Sequence, residues 1–145
     1  MLSSAGTRAS LLPAAGLPLT AFEEFMLADD RPSHPMVIVM RLDFLDGSPP
    51  SSLAEAFSTT ISQEPLLAAR VVRGRGRLRW MPAAPPTLSH TAEGSSWANS
   101  ATLAPPLPRI DPEIGPMLHA SVVTRQTGWS IIVAVHHAAC DGLGI

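Results

Sequence analysis

The sequence contains no lysine, and all ten of its basic residues are arginines. With twelve acidic residues they give a formal net charge of −2, so the chain has no overall attraction to nucleic acid. The missing lysine accompanies many alanines and 15 prolines, and we attribute it to a biased genome rather than to a mechanism. Composition therefore argues against a nucleic-acid partner.

Cysteine and long apolar runs are also scarce. Cys140 is the only cysteine, which excludes an internal disulfide and makes a reducing, cytoplasmic location the expected one. The apolar stretches at residues 36–42 and 131–135 are too short for a membrane span, which needs roughly 18 residues. The sequence therefore predicts no transmembrane segment.

Length and composition favour one globular domain. The chain has 145 residues, 46% of them apolar, whereas a typical domain has roughly 100 to 200 residues. Residues 1–17 contain Arg8 and no acidic residue, but Pro13 interrupts their apolar stretch. We therefore expect residues 1–17 to be a disordered leader rather than a cleaved signal, and residues 18–145 to form the domain.

Capping boxes mark the start of two predicted helices. Thr20 and Glu23 have the required spacing, and Phe22, Phe25 and Met26 recur at helical intervals, which predicts a helix to about residue 27. A second box, Ser52 with Glu55, precedes a helix that ends at Pro65. The predicted apolar face of this second helix consists of Leu53, Ala56, Phe57, Thr60 and Ile61.

Five other segments have strand or loop signatures. Residues 36–45 are bulky and β-branched, which predicts a largely buried strand. Residues 69–81 predict a hairpin that turns at 74–76, and residues 117–125 and 129–135 predict a second antiparallel hairpin. Residues 82–108 are rich in Pro, Ser, Thr and Ala, so we expect a loop that carries one short helix at 95–103.

Arginines occupy alternate positions of the first predicted hairpin, at Arg73, Arg75, Arg77 and Arg79. Such a pattern is compatible with a site for phosphate or nucleic acid, or with the solvated face of a two-stranded ribbon. The segment has no lysine and no interleaved aromatic residues, and the chain is not basic overall. We favour the solvated face.

The second predicted hairpin leads directly into the run His136-His137-Ala138-Ala139-Cys140-Asp141-Gly142. A neutral imidazole titrates near pH ~6.5, so a histidine at a strand end can accept a proton from a hydroxyl or an amine. An aspartate four residues later suggests a group that organises the loop. This layout is typical of an acyl-transfer site.

The spacing His-His-x-x-x-Asp-Gly resembles the HHxxxDG signature of one acyltransferase superfamily. That superfamily contains chloramphenicol acetyltransferase, condensation domains of nonribosomal peptide synthesis, carnitine and plant-type CoA-dependent acyltransferases, and bacterial wax ester synthases. Condensation-like proteins are the favoured relatives, with wax ester synthases second because of the stretch Ser33-His34-Pro35-Met36. The order of predicted elements also resembles the first lobe of this two-lobed α/β fold, a mixed sheet with flanking helices.

The resemblance implies an acyltransferase with no bound cofactor. The donor would be an acyl thioester on CoA or on carrier-protein phosphopantetheine, and the acceptor an amine or an alcohol. His137 matches the histidine that acts as general base. Attack on the thioester carbonyl creates an oxyanion, which backbone N–H groups around Gly142 are candidates to stabilise.

The resemblance assigns supporting roles to the neighbouring residues. Asp141 matches an aspartate that pairs with an arginine to hold the loop, although a plain turn aspartate before Gly142 is nearly as compatible with the local sequence. The residues at the usual position of that arginine are Leu67 and Ala68, so Arg70 is the nearest substitute. His136 is expected to be structural, because neighbouring residues of a strand point to opposite faces.

Two other chemistries fit the run less well. A metal site on His137 and Asp141 lacks a third ligand, since His34, His90 and His119 show no recognisable spacing. Cys140 could serve as a nucleophile, but a small packing residue is the favoured interpretation. The sequence therefore predicts no metal.

The sequence ends three residues after Gly142, before any second lobe. We expect it to be the N-terminal half of an acyltransferase, incomplete by itself, and the sequence leaves open whether this half alone is active. An isolated lobe should bind its second lobe or self-associate through apolar surface, including the flank of strand 129–135. Two alternatives stay open: a non-catalytic module of the same fold that binds a carrier or partner, and an unrelated α/β domain with a chance match.

Overall fold

Two β-sheets and two α-helices make up residues 12–92 and 109–140, the part of the chain that the computed structural model describes. In chain order the elements are β1 (Leu17–Pro18), α1 (Ala21–Asp29), β2 (Val37–Phe44), α2 (Leu53–Gln63), a 3-10 turn (Pro65–Ala68), β3 (Ala69–Arg73), β4 (Leu78–Pro82), β5 (Leu88–Ala92), β6 (Leu118–Thr124) and β7 (Trp129–His136). The smaller sheet has the strand order β1-β4-β3, and the larger has the order β2-β7-β6-β5. In the larger sheet β5 and β6 are parallel, and the other neighbours are antiparallel.

This architecture confirms the predicted α/β class with a mixed sheet. Both predicted hairpins form, as β3–β4 and β6–β7. Within the described residues, no helix has both the length and the apolar character that crossing a membrane requires.

Helix α1 begins with the predicted capping box. The Glu23 N–H donates to Thr20 Oγ1 at 3.3 Å, and the Glu23 carboxylate accepts the Thr20 N–H in return. Of the three apolar residues predicted to define its face, Met26 is buried, whereas Phe22 and Phe25 are 58% and 59% exposed. The prediction of Phe22 and Phe25 as inward residues is wrong. The inward face of the helix instead contains Glu23, whose carboxylate accepts a hydrogen bond from Trp80 Nε1 at 3.1 Å.

Helix α2 forms without the predicted capping box. Ser52 has a helical backbone conformation, and its side chain makes no capping hydrogen bond. Ile61 is buried, and Leu53 and Phe57 are half-buried, but the other two residues of the predicted apolar face, Ala56 and Thr60, are exposed. The Thr60 hydroxyl instead donates to the Ala56 carbonyl.

Strand β2 is much less buried than predicted. It lies at one edge of the larger sheet, paired with β7, and its second half is exposed. Leu42 is 50% exposed and Leu45, just past the strand, is 81% exposed. Phe44 covers part of its surface by stacking on Trp129, with ring centroids 4.0 Å apart. An apolar run therefore identified the strand but not its edge position.

Strand β5 lies in the segment predicted to be a loop. Its sequence, Leu88-Ser89-His90-Thr91-Ala92, has little apolar content, so periodicity gives a weak signal. Polar contacts help to join it to β6: the Ser89 hydroxyl lies 2.6 Å from Ser121 Oγ and 3.0 Å from the Ala120 carbonyl. The helix predicted at residues 95–103 lies outside the described residues.

The chain contacts the smaller sheet before residue 18. Arg79 donates to the carbonyl oxygens of Ala15 and Gly16, at 2.8 and 2.9 Å, and Leu17 pairs with Trp80. The end of the predicted leader is thus attached to the sheet, while residues 1–11 lie outside the described part. The other three arginines of the alternating series, Arg73, Arg75 and Arg77, are exposed, in agreement with a solvated face.

The β6–β7 hairpin forms the centre of the larger sheet and carries the histidine pair at its end. Gly128 turns the chain with φ +85°, and a Cβ at this position would collide with the Phe44 carbonyl. Both edges of β7 are paired, with β2 and β6, and Trp129 is 5% exposed. The predicted exposed flank of β7 is therefore wrong, because β2 covers it.

Candidate active site

The histidine pair lies where β7 ends between two neighbouring chain segments. The His136 N–H donates to the Met117 carbonyl at 2.9 Å, just before β6. The His137 N–H donates to the Met36 carbonyl at 2.8 Å, just before β2. The Ala139 N–H then donates to the His136 carbonyl at 2.9 Å, which closes a turn. Backbone hydrogen bonds thus hold both histidines at the same end of the sheet.

The His136 ring is completely buried and has a defined tautomer. The Ala138 N–H donates to His136 Nδ1 at 3.1 Å. A backbone N–H can only donate, so Nδ1 has no proton and the neutral ring is protonated at Nε2. Nε2 lies 3.7 Å from Asp30 Oδ2, which is too long for a direct hydrogen bond.

Burial lowers the pKa of His136 below its ordinary value of 6.5. Its titratable neighbours act in opposite directions: the Asp30 carboxylate raises the pKa and the His137 ring lowers it. Because the effect of burial is the largest, His136 is neutral at pH 7, as the hydrogen bond from Ala138 requires. His136 in this state supports the turn and is unsuited to titrate with a substrate.

This lowered pKa predicts a loss of stability in mild acid. Below about pH 6.5 the unfolded chain takes up a proton that folded His136 resists, so the free energy of unfolding should fall by at most about 1.4 kcal/mol per pH unit. His136→Asn should remove this slope, because its side-chain oxygen can accept the Ala138 N–H and does not titrate. Urea unfolding between about pH 7.5 and pH 5 measures the effect.

The matched control for that measurement is His34→Asn, since His34 is an exposed histidine. It should keep the wild-type pH dependence. An unchanged slope in His136→Asn would show that other groups cause the acid sensitivity.

His137 is placed differently from its neighbour. Its side chain is half-buried, whereas that of His136 is fully buried. Its Nδ1 is buried and has no hydrogen-bond partner. A half-exposed ring next to a hydrogen-bonded turn has the accessibility that a proton acceptor needs.

The structure places the other predicted site residues as follows. Asp141 and Gly142 lie outside the described residues, so the roles assigned to them stay predictions. Arg70 is exposed on β3, opposite Met81. Cys140 is half-buried and packs against a buried cluster that consists of Ile61, Leu67, Leu118, Ala120 and Val135.

Among residues 12–92 and 109–140, no group of three or more His, Cys, Asp or Glu side chains could hold a metal ion.

Sequence reasoning missed Asp30, which follows α1. Its Oδ1 accepts the Met36 N–H at 2.8 Å, and its Oδ2 faces the His136 ring. A helical signal for it does exist: Glu23, Met26, Leu27 and Asp30 have the spacing i, i+3, i+4 and i+7, and all four are at least half-buried. Two of the four are carboxylates, so a search for apolar periodicity passes over this face.

The structure also contains an apolar cavity of about 520 Å³ between α2 and the segment after β4, with Ile61, Pro65, Pro82 and Pro86 in its wall. His137 is not among the residues that line it. The cavity therefore adds nothing to the chemistry of the histidine pair.

Comparison with known proteins identifies the fold. No family model matches the sequence, and no curated protein matches it in sequence. Solved structures do match. The epimerization domain from the third module of tyrocidine synthetase B is 16% identical with a TM-score of 0.63, over 88% of this chain and 30% of that one. The starter condensation domain of rhizomide synthetase is 16% identical with a TM-score of 0.67, over 88% and 35%.

A variant of the rhizomide synthetase domain, solved in complex with C8-CoA, matches over 85% of this chain with a TM-score of 0.65 and 16% identity. It is covered over 31% of its own length. The chain thus spans about a third of the length of the structures it matches. The predicted condensation-like fold is confirmed, as one part of the larger domains.

Proposed function

We propose that the chain is the N-terminal lobe of a condensation-like acyltransferase, with His137 as its general base. The transferred group would come from a thioester of CoA or of a carrier protein and pass to an amine or alcohol. The observation that carries this proposal is a half-exposed His137 directly after a buried, neutral His136, at the end of the central strand of a condensation-like fold. The C8-CoA complex of a matched structure supports the thioester donor.

The chemistry requires one proton acceptor and one oxyanion site. The His137 ring would take the proton from the acceptor hydroxyl or amine as its oxygen or nitrogen attacks the thioester carbonyl. Collapse of the tetrahedral intermediate would break the carbon–sulfur bond and release the thiolate, which takes the proton back from the imidazolium. N–H groups near Gly142 would bind the oxyanion, and Asp141 would hold the loop, with Arg70 as the candidate partner of its carboxylate.

An acyl-transfer assay tests the proposal. The protein is incubated with C8-CoA and a panel of amines and alcohols, and the released thiol is measured. If the natural protein extends beyond Ile145, the whole protein is used, because the chain spans about a third of the matched structures. We expect thiol release that depends on the acceptor. Release that is independent of every acceptor, or none at all from a protein that binds C8-CoA, would contradict the proposal.

A second candidate is a non-catalytic binding module of the same fold. The exposed apolar residues at the outer end of β2, Leu42, Phe44 and Leu45, favour it, since such surface often marks an interface. The same surface fits a second lobe or another copy of the chain. A protein that binds a carrier or a second chain but transfers no acyl group would support the binding module.

A further inference from the structure

We propose that Asp30 is a positioning residue, which sets the tautomer of His136 and the backbone position of His137. This inference rests on the function proposed above for the histidine pair. It concerns a residue outside the HHxxxDG run, and it follows from the different contacts of the two oxygens of one carboxylate.

The first oxygen controls the backbone of His137. Asp30 Oδ1 accepts the N–H of Met36 at 2.8 Å. The carbonyl of the same Met36 accepts the N–H of His137, also at 2.8 Å. Only one residue therefore separates the Asp30 carboxylate from the main chain of the proposed base. A charged acceptor makes the first of these hydrogen bonds stronger than a neutral one would.

The second oxygen faces the ring of His136. His136 Nε2 is buried and has no hydrogen-bond partner, and Asp30 Oδ2 lies 3.7 Å from it. An N–H buried without an acceptor is costly, and a nearby negative charge reduces that cost. The carboxylate therefore favours the ring with its proton on Nε2.

That tautomer determines the turn that follows. With its proton on Nε2, His136 offers Nδ1 as acceptor to the Ala138 N–H. A proton on Nδ1 would put two donors against each other and break this contact. His137 lies between His136 and Ala138, so a change in the turn would move the proposed base.

The neighbouring carboxylate provides a matched control. Asp29 is the last residue of α1, its side chain is 45% exposed, and it pairs with Arg31 at 3.4 Å. Asp29→Asn and Asp30→Asn make the same change in charge one residue apart. If only the charge at the helix end matters, the tautomer of His136 should change in both variants. If Asp30 positions the histidine pair, the tautomer should change only in Asp30→Asn.

Nitrogen NMR of ¹⁵N-histidine-labelled protein tests the inference without requiring activity. We expect wild-type His136 to be neutral and protonated at Nε2 at neutral pH. In Asp30→Asn the amide oxygen can still accept the Met36 N–H. The amide NH₂ group, which is a donor, then takes the place of Oδ2 and faces the Nε2–H of His136. The population protonated at Nε2 should therefore fall from nearly all to a mixture, whereas Asp29→Asn should match wild type. In an active protein, Asp30→Asn should lower kcat about 10-fold with KM nearly unchanged.

Two results would overturn the inference: a wild-type His136 protonated at Nδ1, or identical His136 spectra in Asp30→Asn and Asp29→Asn. If Asp30→Asn does not fold, Asp30→Ser replaces it, because serine also removes the charge and its hydroxyl can accept the Met36 N–H. A fall in the population protonated at Nε2 would support the inference, and a spectrum identical to that of Asp29→Asn would contradict it. These spectra do not depend on acyl transfer, so they test only the positioning role of Asp30. The thiol-release assay tests the proposed function separately.

Discussion

His137→Ala should lower the rate of acyl transfer by ~10²- to 10⁴-fold, which is the usual contribution of a positioned general base. Thioester binding should change little, because the ring acts on the proton of the acceptor and not on the donor. The measurement is acceptor-dependent thiol release from C8-CoA, together with a direct titration of C8-CoA binding. A thermal melt of each variant shows whether the fold is kept.

Cys140→Ala is the matched control for this prediction. Cys140 lies three residues from His137 and packs against an apolar cluster, so its removal should leave the rate nearly unchanged. Full activity in His137→Ala would contradict the assignment of the base. A stable but inactive Cys140→Ala would instead indicate a thiol nucleophile.

The location of the histidine pair was predictable because its signals are local. An apolar strand signature in residues 129–135 runs directly into the two histidines, and the structure has β7 ending at His136. The turn at Gly128 and the capping box of Thr20 are local as well, and both form. Short-range sequence patterns therefore predicted the elements that carry the candidate site.

The tertiary contacts that hold the candidate site in place were not predictable in the same way. The contact between Asp30 and His136 joins a helix end to a strand end far along the chain, and nothing in the spacing of the two residues indicates it. The exposure of β2 depends on its edge position in the sheet, which the composition of the strand does not encode. Both features depend on how distant segments pack together, which the periodicity of a single segment does not reveal.

Helix α1 links the Asp30 contacts near the histidine pair to the smaller sheet. Near its beginning, Glu23 accepts the Trp80 indole N–H, and just after its end Asp30 binds the Met36 N–H. The inward positions of the helix are thus divided between apolar packing through Met26 and two carboxylates. A change that loosens α1 from β4 should therefore affect both the stability of the domain and the His136 ring.

Trp80→Ala should produce the largest loss of stability, about 3–5 kcal/mol of unfolding free energy, as for other buried aromatic residues that are truncated to alanine. Trp80 is 1% exposed on the middle strand of the smaller sheet, so truncation leaves a cavity beneath α1. It also deprives Glu23 of its 3.1 Å donor. Urea unfolding measures the loss, and the NMR spectrum of His136 should show a mixture of tautomers.

Trp80→Phe separates the two contributions of the indole. It keeps most of the apolar volume and removes the N–H, so it should lose clearly less stability than Trp80→Ala. Because Glu23 also accepts the Thr20 N–H, its carboxylate retains one partner in both variants. Equal losses in the two variants would mean that the hydrogen bond to Glu23, rather than packing, joins α1 to β4. A loss below about 1 kcal/mol in Trp80→Ala would contradict the proposed attachment of α1 through Trp80, since truncation of a well-packed tryptophan costs more than that.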